Sequence, residues 1–169
     1  MRTASREEID EVWDKLCELN EEDTGDLVRR FMEEQPALGI YLSVSFESLG
    51  DSPESPLIDV VMGCWQVMSQ VAGRPLAQVS PEEIESAEEA NTDALEKLED
   101  ASEIEWRATV SGLIQNYNQR ELLGFGIEML MSGNEEAPEL APESIGLELI
   151  WLKTVLDCLD QSDGTRTDT

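Results

Sequence analysis

Histidine is absent from all 169 residues. That absence removes the Ser-His and Cys-His nucleophilic sites, the Glu-x-x-His di-iron bundle and the common His-containing zinc sites. Lysine occurs only at Lys15, Lys97 and Lys153. Cysteine is scarce too: Cys17, Cys64 and Cys158 are odd in number, widely spaced and set on apolar faces, with no CxxC pair. This pattern reads as reduced core thiols in a cytoplasmic setting, not as a disulfide frame or a Cys-rich metal site. Neither Gly-x-x-x-x-Gly-Lys-Ser/Thr nor Gly-x-Gly-x-x-Gly occurs, so no phosphate-cradling loop is visible. No run approaches the roughly 18 apolar residues of a membrane span, and Met1 to Glu22 contains no apolar segment of the secretory kind. The expectation is a soluble protein that folds without staples.

What is present in excess is negative charge. The 38 acidic residues against 11 basic ones leave a formal net charge of -27. Such a field repels phosphate backbones and anionic membranes and attracts cations and basic surfaces. Direct nucleic-acid and membrane binding are therefore not expected, whereas a basic protein partner is. A high-salt habitat would also account for the balance, and a homo-oligomer is left open.

Apolar residues are gathered into periodic segments. Pro56 to Ala72 is apolar on nearly every side and reads as a buried helix, and Glu143 to Asp160 reads as its counterpart, each following a proline and each carrying one tryptophan. Ser5 with Glu8 forms a capping box before a helix over 6–20. Asp23 or Thr24 is placed to cap a second helix that runs to the Gln35-Pro36 break. Residues 37–49 fit both a half-buried strand and a helix. Helix is the reading adopted, because a lone strand would leave its backbone donors and acceptors unpaired. Gly73 to Val79 reads as a linker, and Ser80-Pro81-Glu82-Glu83 repeats the capping signal for a helix to about Leu98. Ser102 with Glu105 starts another helix, Gln119 to Ser132 is one more, and Gly133 is read as its stop. Gln161 to Thr169 has no apolar residue and is expected to be a disordered tail.

The fold class expected is all-α, a bundle of about seven to eight helices in a single domain over 1–160. The order of elements suggests two related four-helix halves, 5–72 and 80–160. Gln35–Tyr41 over Gln119–Phe125, and Cys64-Trp65 over Ile150-Trp151, are the local matches for such a repeat.

Among the remaining chemistry-bearing residues, carboxylates stand out. Acids at i, i+3 and i+4 on one helix can hold Mg²⁺ through oxygen ligands, and Glu82, Glu85, Glu88 and Glu89 are the candidates, with Glu11/Asp14 and Glu18/Glu21 as further pairs. In so acidic a chain these spacings also arise as an ordinary solvated face. Asp59, alone in an apolar helix, belongs in an exposed first turn or beside an arginine, and Glu148 and Lys153 raise the same question. Trp13, Trp65, Trp106 and Trp151 read as core or as a shared aromatic groove. The functional expectation is a non-catalytic acidic helical interaction protein, an adaptor or regulator for a basic protein partner. The alternative is a divalent-metal-dependent hydrolase of a nucleotide or phosphorylated substrate, the only case in which Mg²⁺ would be a cofactor.

Overall fold

The computed structural model describes residues 1–48, 56–96, 111–112, 114–133 and 142–162. The fold is an all-α bundle of about eight helices. Seven have bounds within the described residues: α1 (Arg6–Cys17), α2 (Glu21–Glu34), α3 (Pro36–Ser48), α4 (Leu57–Ala72), α5 (Pro81–Glu96), α6 (Arg120–Gly133) and α7 (Pro142–Gln161). The helix expected to start at Ser102, with Trp106, falls largely outside the described residues, as do the 134–141 loop and residues 163–169.

Local chemistry fixes most of the boundaries. Ser5 and Glu8 form the expected capping box on α1, and Ser80 and Glu83 do the same on α5, with Glu83 N–H donating to Ser80 Oγ at 3.2 Å and Ser80 N–H to Glu83 Oε2 at 2.9 Å. For α2 the cap is Asn20, not Asp23 or Thr24. The Asn20 side-chain oxygen accepts from Asp23 N–H at 3.0 Å, so the helix starts earlier and the preceding one ends at Cys17 rather than residue 20. The ambiguous stretch is the helix α3. Gly133, read as the stop of this helix, is the last residue of α6. At the end of α4, Gly73 adopts φ 63°, a left-handed conformation that only glycine takes without strain, and its N–H returns to Ser69 and Gln70 carbonyls.

The core is organised on α4 and α7, which pack against each other. On this pair α1 covers α4, α5 covers α7, α6 touches both, and α2 rests on α3 and α4. Two elements reach across the chain's midpoint: α3 contacts α5 and α7, and α6 contacts α1 and α4. Trp65 is buried at the centre with Phe31 edge-on at 5.2 Å, and Trp151 is buried in α7. The close approach of α1 to α4 depends on Gly63, where an added Cβ would lie 2.7 Å from the Trp13 ring.

Two buried glutamines lock the bundle. Gln119, fully buried, accepts from Ala4 N–H at 3.0 Å and donates to Arg2 O at 2.9 Å and Asp160 Oδ1 at 2.8 Å. Gln35, also buried, accepts from Val79 N–H at 3.0 Å and donates to Ala77 O at 3.0 Å. Each amide thus grips a strap of extended chain through a carbonyl and the N–H two residues later. The straps stand just before the capping serines Ser5 and Ser80, and the glutamines just before α3 and α6. The stretch expected to be a linker is consequently packed, with Leu76 and Val79 buried and Ala77 N–H donating to Ser162 O at 3.0 Å.

Candidate functional site: a groove between α1 and α2

Helices α1 and α2 are joined by a short turn in which Leu19 N–H donates to Leu16 O at 3.1 Å. Both lie over α4, yet they make little direct contact with each other. A groove is left between them with α4 as its floor. One part, about 360 Å³, is enclosed by Trp13, Leu16, Leu27, Val28 and Met62, with Asp59 at its mouth. The adjoining part, about 350 Å³, runs from Val12, Leu16, Leu19 and Leu27 to Gln66 and Gln70. Leu16, Leu19 and Leu27 line both parts.

Amphipathic patterning explains its character. The apolar stripe of α1 is only partly used against α4, so Trp13 and Leu16 stay half-buried, while Leu19 in the turn is 37% exposed. Trp13 is wedged edge-on against Phe125 at 5.1 Å and over Gly63, which fixes one wall. The opposite wall carries Asp23 and Asp26, and Asp26 is bonded to Arg29. Arg30 turns inward, its guanidinium 4.9 Å above the Trp65 ring and 3.6 Å from Glu34. Lys15 is the other basic side chain on the groove among the described residues.

Between α5 and α7, by contrast, the side chains are polar and bonded to one another. Asn91 stands to Ser80 as Leu16 stands to Ser5. Its amide donates to Thr154 Oγ1 at 3.2 Å and Asp157 Oδ2 at 3.0 Å. Lys153 donates to the same carboxylate at 2.7 Å and lies 5.0 Å over the Tyr117 ring. Burial, followed by the Asp157 charge, pushes the Tyr117 phenol far above its ordinary range. Glu88, which stands to Ser80 as Trp13 does to Ser5, accepts from Tyr41 Oη at 2.8 Å. Burial first, then that carboxylate, raises the Tyr41 phenol as well.

The carboxylates singled out for metal binding do not converge. Glu82, Glu85 and Glu89 are exposed on α5, and Glu88 is engaged by Tyr41. Glu11, Asp14, Glu18 and Glu21 are exposed too. Among the described residues no group of three or more His, Cys, Asp or Glu side chains is arranged to hold a metal ion. Asp59 lies exposed in the first turn of α4, Glu148 is fully buried, and Lys153 pairs with Asp157. Cys64 and Cys158 are core thiols, each pushed up to about 12 by burial, but Cys17 is exposed at the groove rather than buried. Met62 and Met68 are buried and Met131 is exposed.

A third cavity, about 820 Å³, opens beside α6 near Phe125 and Met131. Its charges are already paired, Arg6 sitting 2.9 Å from Asp10, 3.5 Å from Glu128 and 5.1 Å over the Phe125 ring.

Sequence reasoning missed the groove and the two glutamine clamps. The one signal for the clamps was the similarity of Gln35–Tyr41 to Gln119–Phe125, since a glutamine directly before an apolar helix is positioned to hold a neighbouring backbone. Compared with protein-family models, curated proteins and solved structures, the chain matches none. Among the described residues no helix is long and apolar enough to cross a membrane.

Proposed function

We propose that this protein is a non-catalytic, acidic helical interaction protein, an adaptor or regulator that binds a basic protein partner. The observation that carries the reading is the α1–α2 groove, where Trp13, Leu16, Leu19, Leu27 and Val28 are set in a strongly acidic surface. Residues 1–34, which build both walls, contain 12 acids and five bases. Apolar contacts ringed by charge are the usual division of labour at an interface, the apolar side chains giving affinity and the charged rim giving steering and partner choice. The buried thiols of Cys64 and Cys158 and the raised Tyr41 and Tyr117 phenols stay protonated at neutral pH and supply no nucleophile. A reducing, cytoplasmic setting agrees with the three free cysteines.

We also infer that the chain is an internal repeat of one four-helix unit. The two glutamine clamps support this, as do the matched contacts of Trp13 with Phe125 and of Glu88 with Tyr41. Burial along α4 and α7 agrees when Trp65 is set over Leu156, which also pairs Val61 with Leu152, Cys64 with Val155 and Met68 with Leu159, all buried. Setting Trp65 over Trp151 instead brings exposed Gln70 over buried Leu156.

The test is a thermal melt with Mg²⁺, Mn²⁺ or Ca²⁺ set against NaCl of equal ionic strength, followed by calorimetric titration with a lysine-rich protein domain. Equal shifts with all salts and saturable binding of the basic domain are expected. A rise with one divalent ion that NaCl does not reproduce would instead mark a specific cation site, because only native-state binding raises the midpoint by mass action.

A further inference from the structure

We propose that the α1–α2 groove is the docking site for a single cationic amphipathic helix of a partner protein. The proposal rests on the reading of the molecule as an acidic interaction protein and names what that surface takes. An α-helix with its side chains is about 10–12 Å across, and an amphipathic helix laid along apolar side chains in a groove is a recurring mode of recognition. The groove offers apolar side chains to such a helix. Leu16, Leu27 and Val28 are half-buried, and Leu19 is exposed at the turn. Gln66 lies on the floor with its Nε2 buried and without an acceptor among the described residues, whereas Asp157 of α7, which takes its place in the buried register of α4 and α7, is bonded to both Asn91 and Lys153. One of these two positions is met within the molecule, and the other lies at the groove.

Charge decides the kind of occupant. Asp23 and Asp59 stand at the groove, and Glu18, Glu21 and Glu22 crowd its turn. Arg30 is already held by Glu34 and the Trp65 ring, which leaves Lys15 as the only other cation on the groove among the described residues. Lysines or arginines flanking an apolar stripe would therefore meet carboxylates. A second copy of this chain would bring a like charge of -27 against the same surface. Residues 161–169 have no apolar side chain to set against Leu16, Leu19 and Leu27.

The experiment uses the full chain and two fluorescein-labelled Leu/Lys peptides of roughly 18 residues, about five helical turns. One is amphipathic, and the other has the same composition scrambled to abolish the apolar face. Fluorescence anisotropy at about 0.15 M NaCl keeps screening physiological. The amphipathic peptide is expected to bind at least roughly tenfold more tightly. Leu19→Asp, at an exposed position that folding tolerates, is expected to weaken it by a similar factor, and Asp23→Lys with Asp59→Lys by several-fold. Val44→Asp, on the outward face of α3, should leave it unchanged, and the helical circular dichroism of every variant should match the parent. Equal binding of both peptides, insensitive to Leu19→Asp, would overturn the groove as the site and leave the acidic-interaction reading standing. Binding of neither peptide would overturn both. Self-association that Leu19→Asp abolishes would make a second copy the occupant and overturn the proposal.

Discussion

At the residue scale, the two glutamines are the side chains on which most depends. Each satisfies backbone groups from a segment far away in sequence, and each is buried, so truncation leaves those groups dry and unpaired. Leaving one buried donor or acceptor unsatisfied costs about 1–3 kcal/mol. Gln119→Ala orphans the N–H of Ala4, itself buried, and Gln35→Ala orphans that of Val79. Both variants should lose about 2–4 kcal/mol in urea unfolding, once the vacated space is counted with the lost bond. A loss below ~0.5 kcal/mol in either would show that the clamp is incidental. The thiols give a sharper reading of burial. Cys17 is exposed while Cys64 and Cys158 are buried and their thiols sit near 12. A thiol reagent at neutral pH should therefore modify one cysteine quickly in the native protein and the other two only on unfolding. Rapid reaction of Cys64 would contradict the core placement.

At the scale of the element, the capping boxes and the helix α3 were legible in the sequence because they rest on short-range chemistry. A serine three residues before a glutamate, or an unpaired strand with nowhere to send its hydrogen bonds, can be recognised without knowing the rest of the fold. The groove and the straps were not legible. The groove depends on α1 and α2 both resting on α4 while making little contact with each other, and the straps depend on partners more than forty residues away. Cys17 was misplaced for a related reason: its helix has an apolar stripe wider than α4 can cover. The α1 cap also sets a pH dependence. Arg2, bonded to Glu8, and then the Ser5 backbone hold the Glu8 carboxyl down to about 2. Its folded value lies below its unfolded one, so the contribution to stability is present in full above about pH 4.5 and fades as pH falls towards 2. Arg2→Ala should flatten that acid limb of the stability curve, and Ser5→Ala should cost ~1 kcal/mol through the lost cap. An unchanged acid limb in Arg2→Ala would exclude this pair as its origin.

On the scale of the whole molecule, the charge that makes a partner plausible also works against the fold. With a net of -27 the folded chain repels itself, and salt relieves that repulsion over a screening length of about 10 Å at 0.1 M. Raising NaCl from about 0.02 M to 0.5 M should therefore raise Tm, and screening worth even ~1 kcal/mol would move a chain of this size by ~2–4 °C. The same salt should weaken a cationic helix in the groove, because its attraction to Asp23, Asp59 and the surrounding glutamates is screened in parallel. The two effects have opposite signs and one cause. The stabilisation that the bound peptide gives should accordingly be largest where the free protein is weakest, at low salt, and should shrink as NaCl rises. Melts of the free and peptide-saturated protein across the salt series check this directly. If the gap between them stays constant while the free protein's Tm climbs, the peptide is held by apolar contact alone, and the acidic rim plays no part in choosing the partner.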